Sequence, residues 1–483
     1  MSSSSPPPST PYMIKVRFLV DSEKKRVVFA EAGSDFVDVL FSFLTRPLGD
    51  IVHLLSGQSG LVSLDNLYKS VKLLDKKLMH TRACKKMLLY PRSAAAIQCE
   101  DLKITGIYEQ NPRTFYTCSQ VDCLTKSTCY YTYTSKVLCR FCGELMDEYR
   151  FWPKETSDED GVFVNQAAEF MITDSLRVLP LSSKNCLSLL KELQIEDASI
   201  LQEMTIEFGW KEALNFLKKS LVSNNVLTEV CFRKSYAQAV PDYSLQIKEE
   251  IIDIEVEKAI SIELILNKRN NSVLYAEVGA NFVNLMFSFL TFPLGCVFRI
   301  LQDRPSISGC INNLYSSIEL MDLDIFKSET CRNMLKNPKL STFHGFNNQI
   351  LELEEMASKK LLESMGCPMC YLRNGYKPSN CLHQINEAEF IEQNPKSAKG
   401  VLDNGGAFVR GPRKYMVKDN LDVAPLSFIT AIGDGMSFPV SKLVRKQVFV
   451  DKGKALSLLS AMLDSNTVLT DVFFPKSKPP RRS

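Results

Sequence analysis

Four cysteines in the first half of the chain have the spacing of a metal-binding set. Cys118 and Cys123 are separated by four residues, and Cys139 and Cys142, fifteen residues further on, are separated by two. Two such pairs can place four thiolates tetrahedrally around Zn²⁺, each pair on a tight turn. Gly143 follows the second pair directly and suits a turn that needs a permissive backbone. We therefore predict a structural zinc site, closed by its four protein ligands, with no open position for hydrolytic chemistry.

Alternative interpretations of the cysteines stay open. Cys129 lies between the two pairs and competes as a ligand, and the thiols could also be unliganded and partly buried in a β-rich segment. A redox role would need a thioredoxin-like setting at a helix N-terminus, which the sequence around Cys139 does not indicate. The second half holds a weaker candidate for a Cys₃His zinc site, without a second close cysteine pair. Its members are Cys367, Cys370, Cys381 and His383.

Aromatic and basic residues beside the first cysteine set allow a nucleic-acid-binding alternative. They are Tyr130, Tyr131, Tyr133, Lys126, Lys136 and Arg140. Zinc ribbons sometimes stack such rings on single-stranded bases. The competing interpretation, which we favour, is an aromatic strand that packs beside the cysteines. The whole chain has a net charge of only +3, which gives no electrostatic case for nucleic acid as the main partner.

Candidate catalytic groups are few. Glu31 and Glu277 occupy equivalent positions in the two halves, each after a predicted strand, and either could act as a general base. A single carboxylate there also suits a structural role in a turn, which we favour. None of the four histidines recurs in the other half, and the common phosphate-binding, zinc-protease and nucleophile-elbow motifs are absent. An enzyme that uses the shared acids is therefore the alternative hypothesis, not the first.

Composition indicates a globular protein of two to four domains. The chain has 483 residues, of which 45% are hydrophobic and 23% charged. Fifteen cysteines, together with a Ser/Pro-rich start that lacks the features of a secretory signal, favour a reducing compartment, the cytosol or the nucleus. A long uncharged stretch that includes residues 282–298 is interrupted by Pro293 and Gly295, so we expect a buried helix and no membrane span.

The elements that must position these groups occur twice. Residues 30–49, AEAGSDFVDVLFSFLTRPLG, recur as residues 276–295, AEVGANFVNLMFSFLTFPLG. About two thirds of the aligned positions are identical, which indicates an internal duplication. Because this block is the most apolar part of each half, we predict a buried helix at the hub of each of two related cores.

Local patterns predict the order of elements around each block. Alternating apolar residues predict a β-hairpin before it, over residues 14–30 and 260–276. Asp35 and Asn281 are expected to cap the buried helices, Pro47 and Pro293 to end them, and Gly49 and Gly295 to redirect the chain. Asn66 and Asn313 are expected to cap the next helix.

Each half is then predicted to close with paired strands, a helix and a last strand. The paired strands are expected at residues 161–164 with 171–176 and at 406–409 with 416–421, each leading to a proline. The helices are expected at residues 213–221 and 455–463, and the last strands at 226–230 and 468–472.

The resulting prediction is an α+β protein of two tandem homologous modules. The modules span residues 13–236, with a Cys-rich insert at 116–144, and residues 258–475. A disordered tail (1–12), a linker (237–257) and a basic tail (476–483) flank them. Duplicated modules can pack on each other as a pseudo-dimer, and the cleft between them is then the default binding site.

Several of these stretches resemble one known family. LVDSEKKRVVFAEAGSDFVDVLFSFLTRPLG, NLYKSVKLLD, the C-x-x-C pair and VLTEVCF are similar to the plant-specific family catalogued as domain of unknown function 674, over nearly the whole chain apart from its tails. The resemblance implies a plant protein with the fold of its relatives, whose halves are commonly duplicated. It implies no activity, substrate or catalytic residue. Where relatives tend to have C-P-x-C-G, this chain has Arg140 in place of the proline.

These observations lead to one main hypothesis for function. We expect a non-enzymatic interaction or scaffold protein, with an unidentified protein as its partner and Zn as a structural component. The alternatives are an enzyme that uses Glu31 and Glu277, and a zinc-ribbon protein that binds nucleic acid.

Overall fold

A computed structural model gives the fold of most of the chain. It describes residues 12–104, 111–124, 128–152, 161–232, 259–302, 304, 307–346, 349–357, 360–361, 389–397, 406–427, 429 and 440–475. The linker, the C-terminal tail and nearly all of the N-terminal tail lie outside these residues. The division into domains at residues 236 and 258 therefore stays a prediction.

The first half contains both helices and strands. In order they are β1 (Ile14–Asp21), β2 (Arg26–Gly33), α1 (Ser34–Ser42), α2 (Leu48–Leu54), α3 (Val62–Leu73), α4 (Arg82–Leu89), β3 (Thr114–Thr117), α5 (Val121–Leu124), β4 (Thr128–Thr132), β5 (Val137–Leu138), β6 (Leu145–Met146), β7 (Glu148–Phe151), β8 (Glu169–Thr173), β9 (Val178–Pro180), α6 (Ser183–Glu192), β10 (Leu201–Phe208), α7 (Trp210–Val222) and α8 (Val226–Phe232).

The second half repeats most of this order. Its elements are β11 (Ile260–Asn267), β12 (Ser272–Val278), α9 (Ala280–Ser288), α10 (Leu294–Ile300), α11 (Asn312–Leu320), α12 (Glu329–Lys336), β13 (Lys360–Leu361), β14 (Glu389–Glu392), β15 (Tyr415–Lys418), β16 (Val423–Pro425), β17 (Leu443–Val450), α13 (Lys452–Met462) and α14 (Val468–Phe473). The mixture of helices and small sheets confirms the α+β class.

Two five-stranded antiparallel sheets have the same topology. Their strand orders are β10-β1-β2-β8-β9 and β17-β11-β12-β15-β16. The hairpins have equivalent registers, with Arg17 opposite Glu31 in the first and Glu263 opposite Glu277 in the second. Alternate residues of β1 point into the core, as the period of two predicts. The predicted hairpins are therefore confirmed in both halves.

The repeated apolar block lies at the centre of the molecule. Helices α1 and α9 are buried on nearly every side, and a single hydrophobic core extends through both halves. This agrees with the predicted hub helices, since such apolar sequences are stable only when removed from water. Across the described residues, no helix combines the length and the apolar character needed to cross a membrane.

The two blocks meet at their prolines. Pro47 and Pro293 form an antiparallel β-bridge with each other, and the backbone N–H of Leu48 donates to the carbonyl of Phe292 at 2.9 Å. Each proline directly precedes another helix, α2 or α10, and caps it. Proline suits this position because its fixed φ and missing N–H cost little at a helix start. The prolines therefore start the next helix, whereas α1 and α9 have already ended at Ser42 and Ser288 and are followed by a short 3₁₀ turn.

Gly49 and Gly295 have a different role from the predicted one. Both lie inside the helices α2 and α10 and do not redirect the chain. A Cβ atom at Gly49 would stand 2.9 Å from the carbonyl oxygen of Leu290, and one at Gly295 would stand 3.1 Å from that of Leu44. These glycines allow the backbones of the two halves to approach closely.

The predicted helix caps are wrong at Asp35 and Asn281. Both residues lie inside the first turn of their helices, and the N-cap positions are held by Gly33 and Gly279 without a side-chain bond. The pattern of residue types located the helix start to within two residues, which is the usual error of such predictions.

Asn66 and Asn313 also do not cap their helices. They lie within α3 and α11, and their side-chain N–H groups donate across the molecule to the carbonyls of Asn420 (3.2 Å) and Ser175 (2.7 Å). Each asparagine therefore joins a helix of one half to the other half, a contact that the local sequence does not reveal.

The predicted last strands are wrong, because residues 226–232 and 468–473 form the helices α8 and α14. Asp174 accepts hydrogen bonds from the backbone and side chain of Thr228, and Asp419 does the same for Thr470. A carboxylate distant in sequence thus caps each helix. The β-branched composition of these segments suggested strands, and the remote cap overrides it.

The strands that close the sheets are β10 and β17, which the sequence analysis did not predict. They pair along the full length of β1 and β11. Most of their residues are exposed, so they lack the apolar alternation by which a strand is detected.

The predicted strand pairs are partly confirmed. β8 with β9 and β15 with β16 are antiparallel pairs that each end at a proline. Residues 161–164 and 406–409 are not strands of these sheets, and each makes a single bridge with the opposite half. The bridges join Val164 to Phe326 and Val409 to Met79.

Asp38 anchors the first of these segments from inside helix α1. Its carboxylate accepts backbone N–H bonds from residues 162, 163 and 164 at 2.8, 2.8 and 3.0 Å. Burial nevertheless raises the pKa of Asp38 to about 6, against the effect of these donors. Asn284 occupies the equivalent position in α9, and its side-chain oxygen accepts two such bonds from residues 408 and 409.

Replacing Asp38 with Asn is expected to remove a pH dependence of stability. Because the pKa rises from 3.8 to about 6 on folding, the stability that the protonated carboxyl confers is full below about pH 4 and is lost as the pH rises through about 6. The free energy of unfolding of D38N relative to wild type should rise by up to about 3 kcal/mol between about pH 4 and pH 7.5. Urea unfolding at both pH values measures this change. D35N, a change in the half-buried first turn of the same helix, is the control, and a D38N difference that is independent of pH would contradict the expectation.

Candidate functional site

The Cys-rich insert forms a sheet of its own. Its strand order is β13-β14-β4-β3-β7, and β14 of the second half pairs in parallel with β4 of the insert. Stacked aromatic rings fill its interior: the ring centroids of Phe115 and Trp152 are 4.0 Å apart, and Tyr131 packs edge-on against Trp152 at 5.4 Å. Both halves of the chain therefore build the insert.

The structure brings the four predicted zinc ligands together. Cys118 follows β3, Cys123 lies in α5, and Cys139 and Cys142 lie in the turn between β5 and β6. All four sulfur atoms lie within 4.8 Å of one another, and those of Cys118 and Cys142 are 3.4 Å apart. Four thiolates bound to one Zn²⁺ at ~2.3 Å have sulfur atoms about 3.8 Å apart. The arrangement is therefore compatible with tetrahedral metal ligation, and the four cysteines could hold a metal ion.

Backbone hydrogen bonds shape both cysteine turns. The N–H of Gln120 donates to the sulfur of Cys118 at 3.4 Å, and the N–H of Gly143 donates to the carbonyl of Cys139 at 2.9 Å. Gly143 has a φ of 79°, a conformation that other residues rarely adopt. The permissive backbone expected after Cys142 is confirmed.

The thiols of this set have different environments. Burial raises the pKa of Cys123 to about 11 and raises that of Cys118 as well. Cys142 is exposed, and although desolvation acts against it, a backbone donor at Glu144 and the neighbouring thiols lower its pKa. Metal binding deprotonates such thiols, since a divalent cation outweighs the other local charges. The exposed Cys142 leaves the cluster accessible to an ion from solvent.

Cys129 and the second predicted zinc set lie away from the four-sulfur cluster or outside the described residues. Cys129 packs in the aromatic interior, where its thiol donates to the carbonyl of Leu124 at 3.3 Å, and it is not part of the four-sulfur cluster. The second predicted set, Cys367, Cys370, Cys381 and His383, lies outside the described residues. The first set is therefore the candidate that the structure describes.

The tyrosines of strand β4 pack mostly inside the insert, in line with the interpretation of an aromatic strand beside the cysteines. Tyr131 is fully buried beside Trp152, so its ring is not available to stack on a base. Tyr130 is half-buried near the cysteines, with the guanidinium of Arg140 5.5 Å from its ring centroid. Lys126 lies outside the described residues.

Glu31 and Glu277 lie within strands and not after them. Glu31 forms an ion pair with Arg17 at 2.6 Å. Glu277 faces Glu263, which pairs with Arg445 at 2.6 Å. Neither Glu31 nor Glu277 lines the cavity that lies between the two halves and the insert. An enzyme that uses the shared acids would be favoured if both lined one pocket, and they do not both line this cavity.

A cavity with a volume of about 110 Å³ lies where the two halves and the insert meet. We call it the inter-repeat cavity. Residues 46–54 and 86–96 of the first half, 111–134 of the insert, and 341–344, Glu392 and Pro395 of the second half contribute to its lining. A cleft between the halves was the predicted default binding site, but its residues were not predicted. The only local signal was Arg46, a charge inside the apolar block where the other half has Phe292.

Charged groups are concentrated on the first-half side of the inter-repeat cavity. Arg46 is only 1% exposed and pairs with Asp50 at 2.5 Å. Arg92 stacks on the ring of Tyr133, 3.4 Å from its centroid, and donates to the carbonyl of Pro112 at 2.8 Å. These contacts hold both guanidinium groups in defined orientations.

The second-half side carries two buried titratable groups. His344 accepts the backbone N–H of Arg92 on Nε2 at 3.4 Å, and its Nδ1 lies 2.9 Å from the carbonyl of Thr342, so Nδ1 carries the proton. Burial lowers the pKa of His344 to about 4 and raises the pKa of Glu392 to about 7. His344 is therefore neutral at physiological pH.

A family model covers most of the chain. The model described as Protein of unknown function (DUF674) matches residues 10–434, and a second, overlapping match covers residues 302–483. No curated protein and no solved structure matches the chain. The match confirms the family that the sequence resembles. Because it extends over far more than half of the sequence, the chain belongs to the DUF674 family of proteins of unknown function.

Proposed function

We propose that this protein is a non-enzymatic interaction or scaffold protein whose insert is held together by structural zinc. The observation that carries the proposal is the convergence of Cys118, Cys123, Cys139 and Cys142 within 4.8 Å. Four thiolates close the coordination shell of Zn²⁺ and leave no position for a reactive water. Such an ion stabilises a fold and does not catalyse hydrolysis.

The position of the cluster suggests what the zinc stabilises. Gln393, just after β14 in the second half, donates to the carbonyl of Leu138 at 2.6 Å and accepts the N–H of Arg140 at 3.3 Å. The cysteine turn at Cys139–Cys142 is therefore tied to the second half of the chain. Zinc at this point would order the insert and, through it, a contact between the two halves.

An exposed strand edge supports an interaction role. Strand β7 lies at one edge of the described insert sheet, and its Tyr149 and Phe151 are 63% and 49% exposed. Edge strands with exposed aromatic side chains are suited to pairing with an extended segment of another protein. The partner is therefore proposed to be a protein, in the cytosol or nucleus, where free thiols persist.

Metal analysis of the purified chain tests the proposal. Protein prepared without chelator should contain about one zinc ion per chain, and the C139S/C142S variant should lose it. C129S is the matched control, because Cys129 lies outside the cluster and its replacement should leave the zinc content unchanged. A content near two ions would indicate that the set at Cys367 also binds. Absence of metal, with the cluster cysteines readily alkylated in the folded protein, would contradict the proposal.

A further inference from the structure

The inter-repeat cavity has chemistry that a zinc-stapled scaffold does not use. We propose that it binds a small organic carboxylic acid as its anion, with the carboxylate near Arg92 and Arg46 and a single ring as the body of the ligand. The observations behind this proposal are separate from the zinc site, since none of the four cluster cysteines lines the cavity, although Tyr133 of the same insert does.

The charge balance of the lining favours one negative charge. Arg46, Lys86 and Arg92 bring positive charges, whereas Asp50 and Glu392 are the carboxylates. With Glu392 ionised, three cations against two carboxylates leave an excess of one positive charge, and because the pKa of Glu392 is raised to about 7, its partial protonation at neutral pH increases that excess. A monoanion is matched by this excess whether or not Glu392 is ionised, whereas a phosphate dianion would exceed it and lie against two carboxylates whenever Glu392 is ionised.

Arg92 is arranged as a recognition group. Stacking on Tyr133 and the bond to Pro112 fix its guanidinium, which is close enough to Glu392 to act on the pKa of that carboxyl. A planar guanidinium held in place can donate two parallel hydrogen bonds to a carboxylate. Because its orientation is fixed before binding, little side-chain entropy is lost when the ligand arrives.

The internal repeat shows that the fold does not require the charges. At the positions equivalent to Arg46 and Asp50, the second half has Phe292 and Cys296, which are 0% and 2% exposed. The same close contact between the halves is therefore compatible with apolar side chains. Burying an arginine–carboxylate pair has a large desolvation cost, so its presence on the cavity side alone points to a binding role.

Size and lining define the body of the ligand. A volume of about 110 Å³ is smaller than the apolar cavity of ~150 Å³ that accommodates benzene, so the cavity holds no more than one ring, and its opening to solvent leaves room for the rest of the ligand. Tyr90, Tyr116 and Tyr133 line it together with prolines, and such walls favour a flat apolar body. A monocyclic carboxylate therefore matches the cavity in both charge and size.

Calorimetric titration with benzoate tests the proposal. Benzoate should bind saturably, and benzamide, which has nearly the same shape and no charge, should bind at least about tenfold more weakly. The R92M variant should lose at least about tenfold in benzoate affinity. Inorganic phosphate, titrated separately, tests the assignment to a carboxylate.

The repeat supplies matched controls. Lys339 is equivalent to Arg92 in the second half but lies outside the cavity, where it pairs with Glu354, so K339M should bind benzoate as wild type does. If R92M does not fold, the double variant R46F/D50C, which copies the pair already present in the second half, should show the same loss of affinity. Circular dichroism verifies the fold of each variant.

Each result of the benzoate titrations either supports or overturns the proposal. Saturable benzoate binding that is lost in the cavity variants and retained in K339M supports the proposal. Absence of benzoate binding to the wild type at millimolar concentration, equal affinity for benzamide, equal affinity in the folded cavity variants, or tighter binding of phosphate would each overturn it.

Discussion

Removal of the proposed zinc ion by a chelator is expected to unfold the insert locally while the two five-stranded sheets persist. Zinc binding contributes roughly 10 kcal/mol or more to the folding of zinc-finger peptides, and the strands β5 and β6 are two residues long and, among the described strands, pair only with each other. The sheets of the two halves share one large hydrophobic core that does not include the cluster cysteines. Loss of the ion should therefore act on the insert first.

Hydrogen exchange followed by mass spectrometry measures this effect. Protection should fall by about a hundredfold or more in residues 118–146 and to a smaller extent in β14, whose Gln393 neighbour is bonded to the cysteine turn. Strands β1, β2, β11 and β12 should keep their protection. Readdition of zinc should restore the pattern in the wild type and in C129S, but not in C139S/C142S. Unchanged exchange in residues 118–146 after complete metal removal would show that the cysteines do not hold the insert.

The replacement of Gly309 with Ala is expected to be the most disruptive single change in the contact between the halves. A Cβ atom there would lie 2.3 Å from the carbonyl oxygen of Ser220 and 2.4 Å from the carbonyl carbon of Leu221. Both are backbone atoms of α7 in the first half, so no side-chain rotation relieves the overlap. The adjacent N–H of Cys310 also donates to the carbonyl of Ser223 at 3.0 Å, and this bond would be displaced. We expect a loss of about 3 kcal/mol or more in the free energy of unfolding.

Gly279→Ala is the control for this prediction. A Cβ atom at Gly279 would meet nothing within 4 Å, and the backbone there is extended. We expect G279A to cost less than about 1 kcal/mol, chiefly through a weaker helix N-cap. Urea unfolding of both variants compares the two sites. If G309A is as stable as G279A, the halves do not pack as tightly at this point as the structure indicates.

The sequence alone determined the features that depend on local order. The period of two predicted the hairpins β1–β2 and β11–β12, and the apolar repeat predicted the buried helices α1 and α9. The spacing of Cys118, Cys123, Cys139 and Cys142 identified the cluster. Residue types at short separations report these features because burial of one face of a strand or helix imposes a period on the sequence.

Which remote groups complete each element depends on long-range folding. Asp174 caps helix α8, which lies more than fifty residues further along the chain. The residue composition of α8 predicted a strand, and this remote cap stabilises a helix instead. Asn66 bonds to the opposite half and does not cap its own helix. Such bonds produce no repeating pattern in the sequence, because each needs only one polar residue.

The same reason explains the inter-repeat cavity. Arg46, Arg92 and Glu392 are separated by tens to hundreds of residues, and chain folding alone brings them to one cavity. The sequence indicated that two related halves can pack on each other, with a cleft between them as the default binding site. The chemistry of the cavity depends on which side chains line it. The packing of the two halves determines those side chains, and the local sequence does not reveal them.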